Sequence, residues 1–407
     1  MKTYLVGGAV RDKLLDIEPK EHDWVVIGSS PAEMLKLGYK QVGKDFPVFL
    51  HPETKEEYAL ARTERKTGPG YAGFSFHAAP NVTLEEDLLR RDLTINAIAM
   101  DDDGTLIDPF DGQQDIADGL LRHVSPAFAE DPVRILRIAR FAARFARFGF
   151  KVAHSTNSLM RKMVANGEVD ALVAERVWKE LDTALAEDHP QAFFKVLRGC
   201  GALEKLFPEI DALYGVPQPE HHHPEIDTGV HVMMVLEQAA KLSDNPLVRF
   251  AALTHDLGKG TTPETEWPRH IGHEQRGIKI VEQLCDRLKV PNNFRALAKL
   301  TAEYHTHCHR AEELKASTML KVIEACDAFR KPEQFENFLL ACTADIRGRP
   351  GYENEEYPQA DLFRRAYIGA KAINTKAIIE AGFEGPAIRD ALQKQRIEVI
   401  KEALGKN

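Results

Sequence analysis

EDPVRILRIARFAARF, residues 130–145, is the stretch on which the fold turns. Arg134, Arg137, Arg140, Arg144 and, just beyond it, Arg147 recur at steps of three and four residues. At the helical period they fall within an arc of roughly 140°, and Ile135, Ile138, Ala142 and Phe145 take the facing arc. Asp131 before Pro132 is a favourable helix start, an N-cap acid ahead of a proline at the first helical position. The pattern predicts a helix over about 131–148, and the periodicity stays helical from there to the end of the chain. Five arginines on one face with no acid among them repel one another. Such a stripe calls for an anionic partner, and triphosphate or RNA phosphate groups are the natural candidates.

Upstream of this stretch the apolar runs are short and broken by turns. Tyr4–Val6, Trp24–Ile27, Val48–Leu50 and Tyr58–Ala61 read as strands. Residues 66–82, with three glycines and two prolines, read as a long mobile loop. Downstream, residues 214–229 are rich in Pro, Gly and His and mark a boundary; after residue 331 the helices turn polar. A small mixed sheet followed by helices is an α+β arrangement rather than a doubly wound sheet. The expected division is a head at 1–130, an all-helical body at 131–225, a second all-helical domain at 226–330 and a helical C-terminal region at 331–407.

Length and composition agree with several domains around ordinary cores. The chain has 407 residues, 43% hydrophobic and 28% charged. The apolar run in MKTYLVGGAVRD is too short for a signal peptide, and no stretch approaches the ~18 apolar residues of a membrane span, so the reading is a cytoplasmic protein without membrane contact. Cysteines at 200, 285, 308, 326 and 342 form no CxxC pair and suit neither a disulfide framework nor a zinc ribbon. A net charge of −9 argues globally against nucleic-acid binding, but a local basic stripe can still form a phosphate footprint.

Two features of the head carry chemistry. Gly7-Gly8 follows a strand and opens a helix, where glycine lets a phosphate approach the backbone; alone, it reads more simply as a plain tight turn. Arg11 would add charge-assisted contacts. Glu21 and Asp23, two apart before the second strand, put both carboxylates on one face of an extended segment. Such a pair can hold Mg²⁺, although KEHD by itself is also an ordinary acidic edge. Glu57 opens another strand and supplies either a third carboxylate or an exposed edge residue. Arg91 is a triphosphate ligand or half of a surface charge pair with Arg90. The stretch ending in Gly43-Lys44-Asp45 imitates a phosphate-binding loop, but Asp45 stands where Ser or Thr is needed, which rejects it.

Five ordered motifs together resemble the class II tRNA CCA-adding enzymes: GGAVRD, the pair in EHD, RRDLTINA, DPFDG at 108–112 and EDPVRILRIARFAARF. The resemblance implies a nucleotidyltransferase head and attack of the tRNA 3′-hydroxyl on the α-phosphate of CTP, twice, then of ATP. It implies that Glu21 and Asp23 bind the catalytic Mg²⁺ and that Gly8, Arg11, Arg91, Arg137 and Arg140 bind nucleotide. Asp131 and Arg134 match the pair that reads the incoming base; an Asp acceptor and a forked Arg donor can complement cytosine or adenine edges. For Asp131 the helix-cap role stands beside this one. The first acid is often Asp in the family, and Glu21 reaches one methylene further.

The second half holds LTHDLGK at 253–259, with His231 upstream and His273, His305 and Asp327 downstream. A lone His-Asp pair means little, but histidines and acids on separate helices can close a metal site with open positions. The pattern resembles the HD phosphohydrolase signature: His231, His255, Asp256 and Asp327 match its core positions, and His273 and His305 match extra histidines of some members. This implies phosphomonoester or 2′,3′-cyclic phosphate hydrolysis with a transition metal such as Ni²⁺ or Mn²⁺. Scattered surface histidines are the bland alternative. His221–His223 read as a solvated linker and His307 and His309 as surface residues.

The expected partners are a tRNA 3′ end, CTP and ATP, with the chain a monomer or homodimer. The rivals are a poly(A) polymerase-like enzyme, an enzyme adding only CC or only A, a chiefly hydrolytic protein with an inactive head, and an RNA-binding module. The HD pattern and the mixed charge of KQRIEVIKEALGKN weigh against the first. Two carboxylate-rich sites weigh against the last.

Overall fold

The computed structural model describes residues 1–42, 48–66, 74–221 and 224–405. Gly43-Lys44-Asp45, residues 67–73 of the expected loop, and His222 and His223 lie outside the described residues. The chain forms two compact units, Met1–Glu180 with Ala192–Leu206, and Leu181–Gln191 with Phe207–Asn407.

The strands of the head are β1 (Lys2–Val6), β2 (Asp23–Ile27), β3 (Lys40–Val42), β4 (Val48–Leu50), β5 (Glu57–Leu60), β6 (Arg62–Lys66), β7 (Phe74–Ala78), β8 (Ala99–Met100) and β9 (Leu106–Ile107). Seven of them form one mixed sheet in the order β3-β4-β5-β2-β1-β8-β9, in which β2 and β5 run parallel. Burial follows the period of two. Tyr4 and Val6 of β1 join Val25, Leu88 and Ala99 on one side, whereas Leu5 packs with Ala9, Val10 and Ile98 on the other. The four strands expected from sequence lie within a residue or two of their predicted bounds. β3, β8 and β9 span only two or three residues, too few to show alternation in a sequence. The loop expected at 66–82 is corrected at its flanks, where β6 and β7 pair as an antiparallel ribbon; FSFHA has strand-like alternation that the neighbouring glycines mask.

The arginine-rich segment is a helix over Val133–Phe145, continued by a tighter turn at Ala146–Phe148. Ile135, Ile138, Ala142 and Phe145 are all buried, as their spacing requires. In the second unit five helices hold the residues of interest: Thr228–Leu242, Pro246–Thr254, His273–Leu288, Asn292–His309 and Pro332–Arg347. Their core runs through Val248, Ala251, Leu297, Phe338 and Cys342.

Candidate active sites

In the first unit a cavity of about 600 Å³ gathers Gly8, Arg11, Glu21, Asp23, Arg91, Asp131, Arg134, Arg137 and Arg140. Residues from four of the five motifs, the farthest more than a hundred positions apart in sequence, thus line one cavity. The β1-to-helix turn sets the floor. Gly7 has φ 68° and ψ −126°, a backbone that favours glycine, and a Cβ there would stand 2.7 Å from Nη1 of Arg91. Asp23 begins β2, and Glu57 is its parallel partner on β5. Glu57 is exposed beside a smaller cavity of about 310 Å³ that it shares with Glu21 and Asp23. Burial lifts the Asp23 carboxyl above its ordinary value; Arg91 pulls it back and Glu21 adds to the lift. Two or three clustered carboxylates, one of them raised, form an oxygen donor set that fits a hard divalent cation.

The arginine stripe needs correction. Its charges do not face one another unpaired. Arg137 Nε donates to Asp92 Oδ2 at 2.7 Å, Arg140 Nε to Glu180 Oε2 at 2.7 Å, and Arg144 Nη2 to Asp12 Oδ2 at 2.7 Å. Arg134 donates to the carbonyls of Ala127 and Arg90, at 3.3 and 2.7 Å. Burial alone would raise the Asp92 carboxyl, but Arg137 and the Asn96 amide hold it well below the carboxylate range. Arg11 is buried against Asp12, and desolvation lowers its pKa. The acids that neutralise the stripe come from other elements, so the helix's own sequence cannot display them.

Asp131 serves two roles at once. Its Oδ1 accepts from the backbone N–H of Val133 at 3.1 Å, a capping bond, and its two oxygens accept from Arg176 Nη1 and Nη2 at 3.1 and 2.8 Å. Arg176 also lines the cavity and is a residue that sequence spacing does not reach. AERVWKE, where Arg176 and Lys179 lie between two acids, carries no signal that singles it out.

The second unit holds a buried cluster. Ligand-capable atoms of His231, His255 and Asp345 lie within 4.8 Å of one another, as do those of Asp256, His273 and His305. The two sets meet where His255 Nε2 stands 3.2 Å from Asp256 Oδ2 and 3.5 Å from Asp345 Oδ2. His255, His273 and His305 each point Nδ1 at a backbone carbonyl, of Ala252, His270 and Thr301, at 2.7, 2.8 and 2.9 Å. A carbonyl only accepts, so each Nδ1 carries the hydrogen, and in the neutral ring Nε2 is left as a lone pair facing the cluster. Among the described residues, the buried atoms His255 Nε2 and Asp256 Oδ1 make no hydrogen bond. Mixed imidazole and carboxylate donors with orphaned atoms fit a metal ion. Without one, burial opposes the His255 cation but Asp256 and Asp345 push its pKa up to about 10.

Asp327 is not part of this cluster. It follows the helix Ala316–Ala325 with φ 54°, and its carboxylate is taken by Arg330 in two bonds of 2.7 Å at the surface. Asp345, on the helix Pro332–Arg347, occupies the expected acid's place and carries the centre beyond the 330 boundary. Its signal is a lone acid in the otherwise apolar stretch FLLACTADI. His309 is likewise no free surface residue: it stands 2.7 Å from Asp345 Oδ2 and 2.7 Å from the Tyr357 hydroxyl. The His307 ring packs edge-on to Tyr304. His221 is exposed.

A mixed-sheet head with paired acids over an arginine-walled cavity, joined to a helical histidine-aspartate centre, defines a nucleotidyltransferase with an HD domain. The Poly A polymerase head domain family matches residues 3–122, the family "Probable RNA and SrmB- binding site of polymerase A" matches 149–214, and the HD domain family matches 228–331. The Multifunctional CCA protein of Thioalkalivibrio sulfidiphilus is 63% identical over 99% of this chain and 98% of its own length. That of Vibrio campbellii is 58% identical over 100% of both. The chain belongs to the multifunctional CCA protein family of tRNA nucleotidyltransferases. Among solved structures, a CCA-adding enzyme in complex with ATP aligns over 100% of this chain and 88% of its own, with TM-score 0.66 and 20% identity. A Thermotoga maritima CCA-adding enzyme complexed with tRNA-CCA covers 99% of this chain and 91% of its own, with TM-score 0.63 and 21% identity. At these identities the likeness speaks for the fold.

Proposed function

We propose that the chain builds and repairs the 3′-terminal CCA of tRNA from CTP and ATP, releasing pyrophosphate, and that its HD centre hydrolyses phosphomonoesters or 2′,3′-cyclic phosphates. The observation that carries the first part is the single cavity in which Glu21 and Asp23 stand with Asp131 and Arg134, in a chain akin over its whole length to multifunctional CCA proteins. Glu21 and Asp23, with Glu57 beside them, would hold Mg²⁺, which supplies activation of the attacking hydroxyl and stabilisation of the leaving pyrophosphate. Gly8 leaves room for phosphate against the backbone, and Arg11, Arg91, Arg137 and Arg140 balance triphosphate charge. Asp131 offers an acceptor and Arg134 a donor to the edge of cytosine or adenine. A carboxylate has about four lone-pair positions, so the Arg176 fork fixes its plane without exhausting it.

In the HD centre His231, His255, Asp256 and Asp345 would hold a metal, with His273 and His305 beside them. Their mixed nitrogen and oxygen donor set favours Ni²⁺ or Mn²⁺ over Mg²⁺. The functional division follows as a transfer head at 1–130, a nucleotide-recognition body at 131–225, an HD domain from 226 that borrows Asp345 from beyond 330, and a helical C-terminal region. No helix among the described residues is long and apolar enough to cross a membrane. Five free cysteines and a tRNA substrate favour the cytoplasm, with the chain a monomer or homodimer.

The test is incubation of the protein with tRNA lacking its 3′ end, Mg²⁺, and CTP and ATP singly and together. Ordered addition of C, C and A that then stops is expected; a long A tract would instead make this a poly(A) polymerase. Arg134→Ala should relax base choice more than it slows transfer, and uniform loss for all four nucleotides counts against base reading by this residue.

A further inference from the structure

Around the histidine-rich centre, almost every cation is already engaged. Lys259 Nζ lies 2.6 Å from Asp256 Oδ2 and 2.6 Å from Gln218 Oε1. Arg276 donates to the carbonyls of Gly258 and Ile271 and to the hydroxyls of Thr261 and Thr262. Arg349 differs. Its side chain is 17% exposed, and its one ion pair among the described residues is a long one, Nη2 to Asp345 Oδ1 at 3.9 Å. Its Nε is buried and makes no hydrogen bond among the described residues. A buried guanidinium N–H whose hydrogen bond is unmade is costly unless something else takes it.

The backbone holds it there. Gly348, just before it, ends the helix Pro332–Arg347 that carries Asp345. A Cβ on Gly348 would meet Val235 Cγ2 at 2.5 Å and Val235 N and Cα at 2.8 Å. Val235 is one turn beyond His231 on the helix Thr228–Leu242. Glycine at 348 thus lets the chain lie against the helix that carries His231, and Arg349 emerges beside Asp345.

We propose that Arg349 is the anion-binding residue of this centre, its forked N–H groups taking the oxygens of a phosphomonoester or cyclic phosphate presented to the metal-holding side chains. This rests on the HD reading given above. An ion held by neutral imidazoles and carboxylates accepts only part of a phosphate dianion's charge, and a planar fork matches the remaining oxygens in a way that a point charge does not. Lys259, committed to Asp256 and Gln218, is not available for that task.

Calorimetry on the full chain separates the parts: Mn²⁺ alone is titrated first, then inorganic phosphate into the Mn²⁺-loaded protein, with p-nitrophenyl phosphate hydrolysis followed in parallel. Arg349→Met, which keeps the apolar stem, should bind Mn²⁺ within about twofold of the parent. It should weaken phosphate about tenfold or more and raise KM more than it lowers kcat. Arg349→Lys should recover part of the phosphate affinity. His255→Ala should lose Mn²⁺ itself. Unchanged phosphate affinity in Arg349→Met overturns the proposal, as does a parallel loss of Mn²⁺ and phosphate, which would make Arg349 a prop for the cluster. A parent protein that binds phosphate through Arg349 yet hydrolyses nothing keeps the anion site and removes the hydrolase reading.

Discussion

Gly7 shows how much of the transfer site hangs on one residue without a side chain. Its backbone, at φ 68° and ψ −126°, is one that other residues hold only under strain, and the space its Cβ would need is taken by Arg91. Gly7→Ala should therefore cost about 1–3 kcal/mol of stability and swing Arg91 out of the cavity. Nucleotide KM should rise several-fold, and KM for CTP and ATP near the parent value would refute the displacement. Asp92 makes a second single-residue case, with a pH signature. Its folded pKa lies well below the ordinary 3.8, so the stability it contributes is fully present above that value and fades as pH falls through the folded one. Asp92→Asn should cost about 1–3 kcal/mol in urea titrations from pH 7 to pH 5, and the gap from the parent should narrow below about pH 4. A gap independent of pH would mean that the pair with Arg137 is not what Asp92 contributes. Asp92 and Arg176 are hard to see in sequence for the same reason: each earns its place through a partner 45 positions away, Arg137 and Asp131 respectively. Glu21, Asp23 and the Gly7-Gly8 turn are legible because their geometry is local.

At the scale of elements, the helix Val133–Phe145 joins both kinds of information. Its period shows which face is buried, and the structure agrees at Ile135, Ile138, Ala142 and Phe145. What the period misleads on is charge, because Asp12, Asp92 and Glu180 approach from elsewhere to pair with the stripe. The helix start has a comparable double meaning, since Asp131 both caps Val133 N–H and anchors Arg176. The two roles come apart by substitution. Asn caps a helix about as well as Asp, whereas Ala does not. Asp131→Asn should stay within about 0.5 kcal/mol of the parent in stability while losing discrimination among nucleotides; Asp131→Ala should lose discrimination and about 1 kcal/mol more. Thermal melts beside misincorporation assays check this. If Asn preserved selectivity, the capping bond alone would account for the residue. The HD helices illustrate the opposite limit of legibility. A His-Asp step is visible in LTHDLGK, but which distant acid stands with it, Asp327 or Asp345, depends on how separate helices pack. Asp327 pairs with Arg330 at the surface, and Asp345 is the acid that stands with His231 and His255.

At the scale of the whole molecule, the residues that line the first cavity all lie in the first compact unit, and among the described residues the histidine-aspartate cluster lies in the second. The donor sets also differ in kind: carboxylate oxygens in the first, imidazole nitrogens with carboxylates in the second. If, as proposed, the two activities share neither residues nor metal, single substitutions should separate them. Asp23→Ala should abolish nucleotide addition and leave phosphate-ester hydrolysis near the parent rate, and His255→Ala should do the reverse. Metal linkage gives an independent reading of the same point. An ion that binds only the folded HD centre stabilises it by about 2.7 kcal/mol at a hundredfold excess over its Kd. Ni²⁺ or Mn²⁺ added to the metal-free protein should thus raise the melting transition of the parent and of Asp23→Ala alike, and leave His255→Ala where it was. Were Asp23→Ala to lose the shift, the ion would be held by the head carboxylates, and the assignment of metals to the two centres would have to be exchanged.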